Sequence, residues 1–103
     1  MLKDVKKTTD LEKIFQETPM AIIDFAYEAV TNNVILTEEQ KEVFNANTKL
    51  LEKVPLGDIM KKTSMFLELD ILSTNFSVLE GLKVWNFIQY YADENVRQTR
   101  FAQ

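Results

Sequence analysis

The chain has no cysteine and no histidine, and only two glycines and two prolines in 103 residues. Without Cys or His there is no disulfide, no thiolate zinc site, no thiol nucleophile and no imidazole base. Few glycines and prolines argue for a handful of long elements with short connections. No uninterrupted apolar stretch approaches the ~20 residues of a membrane span, since Met20–Ile23 is stopped by Asp24. The first seven residues carry charge but lead into no apolar h-region, so no secretory signal is read there. Lack of cysteine agrees with a reducing compartment, and a cytoplasmic protein with no membrane partner is expected.

What is present is the composition of a folded domain. Apolar residues make up 46% of the chain, aromatic residues 11%, and the net charge is only −4. The length suits one core, so residues 1–103 are read as a single helical domain, with 1–7 a flexible N-terminal segment. Charge is unevenly spread: 1–7 sum to +2, 8–60 to −6 and 61–103 to zero.

Helical periodicity runs through most of the chain. Thr9 or Asp10 is placed to cap a first helix presenting Leu11, Ile14 and Phe15. Thr18-Pro19 then reads as an N-cap with proline at the first helical position. From Met20 to Val30 a 3.6-residue period gathers Asp24 and Glu28 on one narrow face. The competing pattern is a hairpin over 20–36, because Ile23, Phe25, Tyr27 and Ala29 also alternate; the good helix formers Ala and Glu favour the helix. Thr37-Glu-Glu-Gln40 is a capping box, opening a helix that runs to Val54 and stops before Pro55. Asp58 is read as the cap of the next helix, with Ile59, Met60, Thr63, Phe66, Leu67 and Ile71 along its seam. Ser77-Val-Leu-Glu80 is a second capping-box pattern, opening a last helix with a broad arc of Val84, Trp85, Phe87, Ile88, Tyr91 and Ala92. The expected architecture is a compact all-α bundle of four to five helices, with the last long helix central.

Three groups of residues are candidates for function. The aromatic cluster Trp85, Phe87, Tyr90 and Tyr91 reads mostly as core, with Tyr90 on the opposite side beside Lys83. Asp24 and Glu28, at i and i+4, form a pair of carboxylates; helical di-metal sites need a Glu-x-x-His partner motif, and no histidine exists. No cofactor or metal is therefore expected, and this face reads as solvated. Asn47 and Asp70 are polar residues in apolar seams. Asp70 falls at the centre of its face only if the helix from Asp58 runs unbroken, and a stop near Leu69 frees it. As polar residues within apolar seams, the two would satisfy each other, or set the register of a self-pairing helix.

Leu36-Thr-Glu-Glu-Gln-Lys41 followed by Leu56-Gly-Asp-Ile-Met60 resembles the opening of sigma-type DNA-binding modules. That resemblance implies a helix-turn-helix reader of DNA. The charges oppose it, for no basic residue lies between Lys62 and Lys83 while Glu68, Asp70 and Glu80 do. No Gly-rich phosphate loop or Gly-x-Ser-x-Gly turn is present, so no enzymatic activity is read. What remains is a small acidic protein–protein interaction module, an adaptor, inhibitor or assembly factor, acting alone or as a homodimer. Its surface is expected to include Asp24, Glu28, Trp85, Tyr90 and Phe101, and the DNA-binding regulator is the alternative.

Overall fold

The computed structural model describes residues 8–69 and 76–91. The described residues form an all-α bundle of five helices. The helices are α1 (Thr8–Glu17), α2 (Ala21–Thr31), α3 (Glu38–Asn47), α4 (Leu56–Leu67) and α5 (83–91), with 3₁₀ turns at Thr48–Lys53 and Phe76–Leu79. Among the described residues no helix is long and apolar enough to cross a membrane. The segment 1–7, the residues Asp70, Ile71, Ala92 and Phe101, and the Leu67 side chain lie outside what is described.

α1 buries Leu11 and Phe15, one turn apart, and leaves Glu12, Lys13, Gln16 and Glu17 in solvent. Thr9 and Asp10 are already inside the helix, so neither caps it; Asp10 instead places its charge in the first turn, where it suits the helix dipole. Thr18 and Pro19 start α2 through a tight turn rather than a side-chain cap. The Thr18 carbonyl accepts from Ala21 N–H at 2.9 Å and the Pro19 carbonyl from Ile22 N–H at 3.0 Å. Regular α-geometry begins only at Ala21, behind Met20.

α2 is the most deeply set element, with Ala21, Ile22, Ile23, Phe25, Ala26, Ala29 and Val30 all buried. The helix, not the hairpin, forms because its C-terminus has a stop of its own. Asn33 turns left-handed (φ 53°), Asn33 N–H donates to the Val30 carbonyl at 3.3 Å, and Val34 N–H donates to that of Ala29 at 2.9 Å. This is a Schellman closure, and asparagine tolerates the positive φ that it needs.

The Thr37 capping box is fully formed. Thr37 Oγ1 accepts from Gln40 N–H at 3.1 Å, and Thr37 N–H donates to Gln40 Oε1 at 2.9 Å. Thr37→Ala is expected to lower stability by about 1 kcal/mol, measured as a thermal-midpoint shift of about 4–8 °C. The helix does not stay α-helical to Val54, because Pro55 holds Val54 extended (φ −84°, ψ 136°) and the preceding turn tightens to 3₁₀. Thr48 Oγ1 donates to the Phe44 carbonyl at 2.7 Å where the geometry changes.

α4 begins at Leu56, three residues earlier than an Asp58 cap requires. Pro55 is its N-cap residue, without a side-chain cap bond, and its carbonyl accepts from Asp58 and Ile59. Asp58 contributes charge to the first turn, not a cap. The seam expectation holds at Ile59, Thr63 and Phe66, which are buried. α4 ends at Leu67, so the unbroken helix that put Asp70 at mid-face does not form.

The last helix opens later than Ser77–Glu80 suggested. Those residues belong to a 3₁₀ turn and the bend after it, where Glu80 N–H donates to the Ser77 carbonyl at 3.0 Å. Gly81 then takes φ 85°, a left-handed conformation that interrupts any helix and that glycine adopts without strain. α5 buries Val84 and Ile88 fully and leaves Trp85, Phe87 and Tyr91 half-buried. Over residues 83–91 its wide apolar arc is thus shared between core and surface, and the most extensive burial is seen in α2, which still keeps Asp24 and Glu28 on a half-exposed stripe.

The core is tied together by aromatic rings. Phe15 meets Phe44 edge-on at 4.9 Å and Phe25 at 5.7 Å, joining α1, α3 and α2. Tyr27 meets Phe66 edge-on at 5.3 Å, joining α2 to α4.

Candidate functional site

The residues singled out in the sequence do not form one site. Asp24 lies on the outward stripe of α2 and pairs through Oδ1 with Lys62 Nζ of α4 at 3.0 Å. Both partners are more than a third exposed, so the pair contributes under about 1 kcal/mol. Glu28 is half-buried, and its carbonyl accepts from the Asn32 amide and the Thr31 hydroxyl at the end of the helix. Trp85 stacks on Phe76 at 5.3 Å, while Tyr90 stands 62% exposed against the edge of Tyr91. No hydrogen bond, ion pair or ring contact among the described residues links Asp24 or Glu28 to Trp85 or Tyr90. Asn47 is buried, as its place in the seam implied, and spends its amide on the Val43 carbonyl of its own helix at 2.8 Å. Asp70 and Phe101 lie outside the described residues.

One concavity among the described residues is not foreseen by the sequence reading. A groove of about 730 Å³ opens between the α1–α2 junction and the start of α4. Pro19, Met20, Val54, Pro55 and Met65 give it an apolar floor and walls, and Lys53, Lys61, Lys62, Glu17 and Asp58 stand around it. The two prolines that bound helices in the sequence therefore line the same groove. A smaller hollow of about 410 Å³ lies beside Trp85, with Phe76, Gly81 and Lys83 in its wall.

No family model, curated protein or solved structure matches this chain. Its function has to be read from its own surface.

One sequence signal does point at the groove. Residues 8–60 sum to −6, and the first adjacent basic residues after residue 7 are Lys61 and Lys62, which Lys53 joins in the fold. The fold gathers these three lysines with Met20 and Met65, which lie 45 positions apart in the chain.

Proposed function

We propose that the protein is a small protein–protein interaction module whose main contact surface is the groove between the α1–α2 junction and α4. The observation that carries this reading is a groove that sets Met20, Met65 and Val54 among three lysines and two carboxylates, on a domain that is acidic overall. Specific interfaces place apolar contact at the centre and charge at the rim. Methionine side chains are flexible and polarisable, so they adapt to a partner's surface. Pro19 and Pro55 restrict the backbone at the groove edge, which limits the entropy lost on binding. The absence of histidine and cysteine from the whole sequence supports a binding role over a catalytic one.

The exposed Tyr90, against half-buried Tyr91, favours a second contact region on α5. Affinity capture from the source organism separates the two. A protein retained by the wild type and by Tyr90→Ser, and lost with Met20→Glu/Met65→Glu, supports the groove. Loss with Tyr90→Ser alone moves the interface to α5. Capture indifferent to both changes overturns the reading.

A further inference from the structure

We infer that the groove takes an acidic, apolar-anchored helical segment of a partner protein. This deepens the interaction reading and rests on it. Seven lysines and twelve carboxylate residues lie among the described residues, and three of the lysines line this groove against two of the carboxylates. The groove lining is thus +1 on a domain that is negative overall, while the other four described lysines, Lys13, Lys41, Lys49 and Lys83, lie elsewhere. Lys53 and Lys61 make no ion pair among the described residues and are exposed. Lys62 is held by Asp24 in a half-exposed pair that an incoming carboxylate can share. The start of α4 adds to this bias, since Pro55 provides no side-chain cap and the first amides of the helix carry its positive dipole end.

The form of the occupant follows from what the groove offers. The helices beside it already use their backbone groups in i→i+4 bonds, so an extended peptide gains no ladder by adding a strand. No aromatic side chain lines it, which removes the platform that polyproline ligands and stacked nucleobases use. A helix with apolar side chains at i, i+3 or i+4 and i+7 matches an apolar floor with charges at its edges. Nucleic acid fits less well, because Glu17 and Asp58 stand on the rim and the −4 domain repels a long polyanion.

The test is selection of a random peptide library of about 16-residue members, long enough for marginal helices, on the intact chain. Selected peptides should combine Asp or Glu with large apolar residues at helical spacing. A synthetic copy should bind Lys53→Glu/Lys61→Glu about tenfold or more weakly than wild type. It should also weaken as salt rises from about 0.05 to about 0.5 M. Both lysines are exposed, and an unchanged melting curve confirms that the variant is folded. Exchanging the peptide's acids for lysines should restore binding to the variant. No enrichment, selected peptides without acids, or affinity unmoved by the charge reversal overturns the inference. So does a short DNA duplex that displaces the peptide at lower concentration, or a dimer of this chain abolished by the same variant. Variant-sensitive capture together with non-acidic peptides leaves the interaction reading standing and removes only the acidic occupant. Capture insensitive to Met20→Glu/Met65→Glu removes the groove as the contact surface, and with it this inference.

Discussion

Phe44→Ala is expected to destabilise the protein by about 3–5 kcal/mol. Phe44 is fully buried and its ring packs edge-on against Phe15, which in turn meets Phe25. Removing the ring deletes the contact that joins α3 to α1 and leaves a cavity that backbones already in helical contact cannot close. A domain of this size has about 5–15 kcal/mol of total stability, so the change removes a large fraction of it. A urea denaturation series measures the loss as a fall in midpoint at nearly constant slope. Ile35→Ala is the informative control. Ile35 is just as apolar but 85% exposed, and its truncation should fall within about 0.5 kcal/mol of zero. Equal losses at the two positions would refute the assignment of the core.

The second large effect is local. Asn45 of α3 reaches across to the start of α5, where its Oδ1 accepts from Lys83 N–H at 2.8 Å and its Nδ2 donates to the Gly81 carbonyl at 3.2 Å. Leu82, the residue preceding α5, has no side-chain oxygen to serve as a cap, so a distant asparagine supplies one. Asn45→Ala should cost about 2 kcal/mol, combining a lost cap with a lost tertiary hydrogen bond. The loss should be concentrated in α5, with faster amide exchange at Lys83, Val84 and Trp85 while α2 keeps its protection. Asn45→Asp keeps the acceptor, places a negative charge at the helix N-terminus and gives up only the donor, so it should recover about half. Exchange in α5 unchanged by Asn45→Ala would show that the clamp does not hold the helix.

These two cases mark where local reading succeeds and fails. The Thr37 capping box was legible because both of its bonds lie within four residues, and nothing distant competes with them. Ser77–Glu80 has the same pattern and does not cap α5. Gly81 turns left-handed immediately after it, and the cap comes from Asn45, 38 positions before Lys83. The polar stripe of Asp24 and Glu28 was visible as an i, i+4 pair, but its neutralising partner Lys62 sits on another helix. Burial of Asn47 followed from its place in the seam; that its amide turns back to the Val43 carbonyl did not. Apart from the adjacent Lys61 and Lys62, the groove was illegible for the same reason as the clamp, since its walls come from residues 16–20, 53–55 and 58–65. Each stretch alone reads as a helix end or a solvated face, and only packing makes a surface of them.

The most direct test of the groove as the contact surface is site-specific photo-crosslinking in living cells. A benzoylphenylalanine in place of Met65 should yield a discrete adduct with one partner protein, and Lys53→Glu/Lys61→Glu in the same chain should abolish it. The same probe in place of Tyr90 should yield little by comparison. Adducts formed only from position 90, or none from position 65, would contradict the account.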